Sequence, residues 1–233
     1  MMKPHERLAE ATTPDGTVLI LYRHDGEYLL RANGSELMST RRSHSEERLA
    51  ELACAPLGTV AGASVLIGGL GFGFTLKAAL ELLGPDARVV VAELLREIID
   101  WNRNPNYDLS GAELADPRVE VRHVDVAKVL GDGVAAYDAI VLDTDNGAES
   151  VTTRSNARLY RDKGIRMAMA ALKPGGRLAY WLAEPDPRFV KSLERAGLAV
   201  TVESVRAHPT SGPYHTLLVT QRLKDLKAAR AGA

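Results

Sequence analysis

The chain has 233 residues, with 29 Lys and Arg against 30 Asp and Glu, for a formal charge of −1. That length suits one ordinary domain with a small appendage, and a composition 45% apolar and 25% charged is that of a soluble globular protein. Near-balanced charge argues against a nucleic-acid binder relying on bulk positive charge, and the single cysteine, Cys54, excludes a disulfide framework or a multi-thiolate metal site. No apolar run approaches the roughly 20 residues of a bilayer span. The start, Met1-Met2-Lys3-Pro4-His5-Glu6-Arg7, is polar where a secretory signal needs an apolar stretch. The expectation is a cytoplasmic protein that engages neither membrane nor nucleic acid.

Residues 17–22 and 27–32 read as short strands, joined by Arg23-His24-Asp25-Gly26, whose Asp-Gly pair favours a tight hairpin. Asn33-Gly34 supplies a second turn and residues 36–39 a third strand. A helix starts near Ser43 or Ser45. Ser43 and Glu46 have the spacing of a capping box, and Leu49, Leu52 and Ala53 recur on one face. Pro56 and Gly58 end that helix. Residues 1–58 are thus expected to form a β-hairpin unit with a linking helix.

From Ala63 the pattern becomes strand, turn and helix, repeated. Val65-Leu66-Ile67 runs into Gly68-Gly69-Leu70-Gly71-Phe72-Gly73, then a helix over 74–83. A second strand over 88–92 ends in Glu93, with a helix behind it through Trp101. A third, 119–124, ends at Asp125, and a fourth, 137–142, ends at Asp143. A helix over 156–172 stops at Lys173-Pro174-Gly175-Gly176, and a fifth strand covers 177–182. A helix over 188–196 leads to two last strands near 198–205 and 214–220. Continuous β-branched runs alternating with helices indicate an α/β fold with a parallel sheet covered on both faces. The turn at 209–213 allows an antiparallel ending, and residues 223–233 read as a solvated tail.

Ligands of open α/β sheets bind beyond the carboxyl ends of the strands. Gly69-x-Gly71-x-Gly73 lies there, and glycines let the backbone turn sharply and approach a ligand closely. Glu93 follows Gly73 by 20 residues, the place of an acid that accepts from ribose hydroxyls. Asp125 is placed to accept from an adenine amino group. The competing reading makes each acid a cap for the helix after it. A dinucleotide fingerprint needs glycine at position 74, which is Phe74. The glycine spacing, the Pro-Gly-Gly and the closing strand pair fit a Rossmann-like, methyltransferase-type fold, with a mostly parallel seven-stranded sheet over residues 59–222.

Through Asn33-Gly34, the helix from Ser45, the glycine loop, Val91-Ala92-Glu93-Leu94, Val124-Asp125, the strand ending in Asp143 and Leu172-Lys173-Pro174-Gly175-Gly176, the sequence resembles the spermidine synthases. These polyamine aminopropyltransferases belong to the S-adenosylmethionine-dependent methyltransferase superfamily. The resemblance implies alkyl transfer from decarboxylated S-adenosylmethionine or S-adenosylmethionine to a small-molecule amine or polyamine. Methylthioadenosine or S-adenosylhomocysteine would leave, and no metal is implied. It assigns Gly69, Gly71, Gly73, Glu93 and Asp125 to the cofactor, Asp143 and Asp145 to catalysis, and Glu149 and Glu184 to the acceptor. A homodimer is compatible with it.

The sequence departs from the family at three places. Where the family loop reads G-G-G-D-G-G, with an aspartate for the aminopropyl amine, Phe72 offers at most a cation–π face. V-E-I-D becomes Ala92-Glu93-Leu94-Leu95, and D-x-x-D becomes Asp143-Thr144-Asp145. Losing the loop acid keeps two alternatives open: a methyltransferase, and a nucleoside-binding relative without transfer activity. Elsewhere, His24, His44, His123, His208 and His215 show no metal-ligand spacing, while Cys54, Trp101 and Trp181 read as packing residues.

Overall fold

The computed structural model describes residues 5–13, 16–144 and 156–231. Strands β1 (Glu6–Thr12), β2 (Val18–His24), β3 (Glu27–Ala32) and β4 (Ser35–Ser39) form an antiparallel meander in chain order. Its two tight turns hold Asp25 and Gly26 at φ +52° and +85°, and Asn33 and Gly34 at +48° and +86°. Paired left-handed residues twist with the flanking strands, so the two dipeptides set the register. β1 lacks a sequence signal because it is an edge strand with no fully buried residue.

Helix α1 (His44–Cys54) follows and ends in a 3-10 turn, Ala55–Leu57, that contains Pro56. The expected capping box is not made. Ser43 has no side-chain cap bond, and the Glu46 carboxylate instead accepts from the Ser45 hydroxyl at 2.5 Å.

The larger sheet holds β5 (Ser64–Gly68), β6 (Arg88–Glu93), β7 (Val119–His123), β8 (Tyr137–Leu142), β9 (Leu172–Leu182), β10 (Leu198–His208) and β11 (Ser211–Arg222). In space their order is β7-β6-β5-β8-β9-β11-β10. Strands β5 to β9 run parallel, and β11 pairs antiparallel with β9 and β10. The helices of this part are α2 (Phe74–Leu82), α3 (Arg96–Arg103), α4 (Gly111–Leu114), α5 (Val126–Asp132), α6 (Asp162–Ala171), α7 (Pro187–Arg195) and α8 (Leu223–Ala231). No helix among the described residues is long and apolar enough to cross a membrane.

Alternation along the strands feeds two cores. Val65, Ile67, Val89, Val91, Val141 and Trp181 face α1, α2 and the small sheet. Leu66, Val90, Ile140, Leu142 and Tyr180 face α5, α6 and α7. Burial on both faces is why these strands read as unbroken apolar runs. Several boundaries differ from expectation. β9 begins at Leu172, absorbing Pro174-Gly175-Gly176 at a register shift with Gly175 at φ +77°. The expected helix over 156–172 is a 3-10 segment, Asn156–Tyr160, followed by α6. The short helices α4 and α5 carried no recognised pattern, being a single turn and two turns long.

The Tyr180 hydroxyl is buried and has no hydrogen-bond partner among the described residues, while its ring meets Phe189 edge-on at 4.9 Å. An unmade buried hydrogen bond costs about 1–3 kcal/mol. Tyr180→Phe is therefore expected to raise the unfolding free energy by about 1 kcal/mol in urea denaturation. A lower value would show that the hydroxyl is satisfied in solution.

Candidate active site

A cleft of about 610 Å³, counted to its open mouth, lies over the carboxyl ends of β5 to β8. β5 pairs with β6 on one side and β8 on the other, so the connections after β5 and β8 leave in opposite directions and open the crevice. Its floor carries Gly69 and Gly71 after β5, Glu93 at the end of β6, Asp125 after β7, and Asp143 after β8. Leu19, Leu30, Leu37 and Met38 of the small sheet close it from above.

Gly69, Gly71 and Gly73 take φ of +92°, +54° and +82°. A Cβ at Gly69 would run into the Asp143 carbonyl oxygen, and one at Gly71 would reach 3.2 Å from Met38 Cε. The loop is thus pressed between the β8 tip and the small sheet. Gly73 does a different job, turning the chain into α2 beside Ser110, and is not part of the cleft lining. Gly69→Ala is expected to lower stability by at least about 1–3 kcal/mol, because strain and clash add. Thermal denaturation reads this, and an unchanged midpoint would refute the close packing.

Glu93 ties the loop down. Its carboxylate accepts from Leu70 N and Leu95 N, each at 2.8 Å, at 7% exposure. Burial pushes its pKa up against the opposing pull of these amides. Each oxygen keeps a second lone pair on which a ribose hydroxyl can donate. Asp125 caps α5 through Ala127 N at 2.8 Å and also pairs with Arg158, so the helix-cap reading holds for it alongside its place in the cleft.

Asp143 accepts from Thr75 Oγ1 at 2.6 Å, and burial pushes its pKa up to about 6. Its charge also acts on a group that local patterns did not connect to it. Glu46 of α1 is raised to about 8, first by burial and then by the charge of Asp143. Its neighbour Ser45 accepts from Trp181 Nε1 at 3.1 Å and lies 2.9 Å from His215 Nδ1. Burial, followed by the charge of Arg42, lowers His215 to about 4. Trp181 is thus both a packing residue and a hydrogen-bond donor.

These shifts have a direction for stability. The unfolded chain releases its carboxyl protons near pH 4, whereas the folded protein holds them until about pH 6 at Asp143 and about pH 8 at Glu46. The folded state therefore binds more protons across that window, and stability falls as pH rises through it. Melting is expected at lower temperature at pH 8 than at pH 5.5, with a smaller difference in Glu46→Gln. A slope unaltered by that substitution would refute the raised pKa.

Phe72 corrects one expectation. It is 5% exposed, packed in the core with Phe74 edge-on at 6.2 Å, and presents no face for a cation. The side chain joins the apolar core that the large sheet, α1, α2 and the small sheet share. Asp145 and Glu149 lie outside the described residues. Glu184 is exposed in the loop after β9 and does not line the cleft. Among the described residues, no group of three or more His, Cys, Asp or Glu side chains is placed to hold a metal ion.

No protein-family model matches the chain. Over 217 residues it is 30% identical to a polyamine aminopropyltransferase of Corynebacterium efficiens, an alignment covering 84% of this chain and 40% of that protein. Over 99 residues it is 34% identical to a polyamine aminopropyltransferase of Nitrosomonas europaea, covering 42% of this chain and 29% of that one. The chain thus matches less than half the length of either curated relative. Spermidine synthase from Thermotoga maritima superposes with a TM-score of 0.69 at 18% identity, over 95% of this chain and 75% of that structure. A spermidine synthase in complex with the transition state analogue AdoDATO gives 0.68 at 17% identity, over 95% and 74%. The strand order, the small antiparallel sheet before it and the sequence matches agree: the chain has the fold of the spermidine synthases and is similar in sequence to part of the polyamine aminopropyltransferases.

Proposed function

We propose that the chain is a transferase that moves an aminopropyl group from decarboxylated S-adenosylmethionine to a small-molecule amine. The observation that carries this reading is the meeting of the glycine loop with Glu93, Asp125 and Asp143 in one cleft. The close-packed glycines fit an adenosyl donor. Glu93 would accept from the ribose, Asp125 would face the adenine amino group, and Leu95 and Ile98 supply apolar wall for the base. The amine nitrogen attacks the propyl carbon, the carbon–sulfur bond breaks, and methylthioadenosine leaves. Asp143 orients the amine and takes the proton that the nitrogen sheds. Placement can supply roughly 7–11 kcal/mol of barrier reduction, against about 3–5 kcal/mol for a base. In the sequence Asp145 and Glu149 follow Asp143 closely, an acidic stretch suited to a cationic acceptor.

Buried Phe72 favours a second reading, since the loop brings no acid to the amine of a decarboxylated donor. S-adenosylmethionine would then be the donor, methyl the group moved and S-adenosylhomocysteine the product. Calorimetry with both donors, followed by turnover on a panel of diamines, separates the two. Tighter binding of the decarboxylated donor, with methylthioadenosine formed, is expected. Preference for S-adenosylmethionine with methylated amine would support the second reading, and nucleoside binding without turnover would support a non-catalytic relative.

A further inference from the structure

We propose that Thr75, the second residue of α2, is a positioning residue for alkyl transfer: its hydroxyl clamps one oxygen of Asp143 and so presents the other to the amine acceptor. The role rests on the alkyl-transfer reading above. Thr75 is 3% exposed and is not part of the cleft lining, whereas Asp143 is, so Thr75 acts through Asp143 and not on the substrates.

Thr75 Oγ1 lies 2.6 Å from Asp143 Oδ2. A hydroxyl has one proton and an ionised carboxylate only accepts, so that proton is committed to Asp143. Helical threonine hydroxyls often turn instead to a carbonyl three or four residues back. Four residues back is Gly71, whose carbonyl receives Asn102 Nδ2 at 2.8 Å, and the Thr75 hydroxyl reaches across to the tip of β8. The main chain of Asp143 is already fixed. Its N–H donates to Gly68 O at 2.9 Å, and its carbonyl oxygen presses against Gly69, where a Cβ would not fit. What the main chain does not set is the turn of the carboxyl plane, since the last torsion of an aspartate is broad. The bond to Thr75 sets it.

Among the described residues, Thr75 is the hydrogen-bond donor that reaches this carboxylate, which leaves Oδ1 for the amine. The acceptor must offer one N–H to that oxygen while its lone pair points at the carbon under attack. As the nitrogen–carbon bond forms and the carbon–sulfur bond breaks, the proton on nitrogen passes to Oδ1. A carboxyl group free to turn would hold the amine out of line for part of the time, and such misplacement is costly to rate. The same bond favours the charged carboxylate, opposing the burial that pushes Asp143 up. The other ionisable groups around it, Glu46 of α1 and Glu93 and Asp125 of the cleft, are untouched by changes at position 75.

Two variants separate this role from packing. Thr75→Val keeps the volume and the branching and deletes the hydroxyl, whereas Thr75→Ser keeps the hydroxyl and deletes a methyl group. Steady-state kinetics are expected to show kcat about tenfold lower in Thr75→Val with KM for the donor within about twofold, and kcat within about threefold of wild type in Thr75→Ser. A residue that only packs gives the opposite order. The rising limb of kcat/KM against pH is expected to move up by about one pH unit in Thr75→Val and to return in Thr75→Ser. Carbon-13 NMR titration of the Asp143 carboxyl, assigned by its absence in Asp143→Asn, should move with the limb and requires no turnover. Wild-type kcat in Thr75→Val, a loss in Thr75→Ser as large as in Thr75→Val, or an unmoved Asp143 titration overturns the positioning role and leaves the alkyl-transfer reading standing. Absence of turnover on any amine by the unaltered protein with either donor overturns that reading itself, and the role with it.

Discussion

Asp143→Asn is expected to lower turnover by about 10²–10⁴-fold, the range of a lost general base. Asparagine has the same shape, and its amide oxygen can still accept from Thr75 Oγ1, which lies 2.6 Å from the carboxylate. The fold and the glycine loop should therefore survive, and affinity for methylthioadenosine should stay within about twofold, since position 143 does no ribose work in the proposal. What disappears is the proton acceptor and a negative charge on the cleft floor. Wild-type kcat/KM is expected to rise as pH increases through about 6, where Asp143 ionises, and the variant should lose that limb. Unchanged turnover, or an unchanged limb, would remove Asp143 from the mechanism.

The second large effect belongs to Glu93. Glu93→Ala removes the acceptor for Leu70 N and Leu95 N and leaves both amides buried without a partner. Each orphaned group costs about 1–3 kcal/mol, so the glycine loop should loosen and the melting temperature fall. Affinity for methylthioadenosine is expected to drop about 10–100-fold, the equivalent of about one charge-assisted hydrogen bond. Glu93→Gln separates the two roles. Its single carbonyl oxygen can serve one amide, and its NH2 group opposes the other, so stability should fall less than in the alanine variant. Calorimetry on both variants checks the assignment, and unaltered affinity in Glu93→Ala would refute the ribose role.

The sheet was legible because its information is local. Residues 89–92 and 139–142 are apolar without interruption, as a strand covered on both faces requires, and β6 and β8 occupy those places. Asp25-Gly26 and Asn33-Gly34 named their turns because few other dipeptides tolerate two successive positive φ angles. The glycine loop and the tips at Glu93, Asp125 and Asp143 followed from the rule that open sheets bind ligands at carboxyl ends. β1 and the start of β9 were not legible, since one is a half-exposed edge and the other runs through Pro174-Gly175-Gly176 at a register shift.

Sequence alone determined which segments become strands, which turns join them, and that acids and glycines collect along one edge of the sheet. Tertiary structure decided what those side chains meet. Phe72 sits in an acid's place in the family pattern, and only the folded chain shows it packed in the core. Glu46 has the spacing of a helix cap, yet α1 carries it to Asp143, so its charge state answers to a strand tip nearly a hundred residues on. Ser45 and His215 are 170 positions apart and meet only because α1 packs against β9 and β11. Hydrophobic periodicity and turn chemistry act over a few residues and can be read along the chain. Burial, desolvation and proton sharing depend on distances that exist only after the two sheets close on each other.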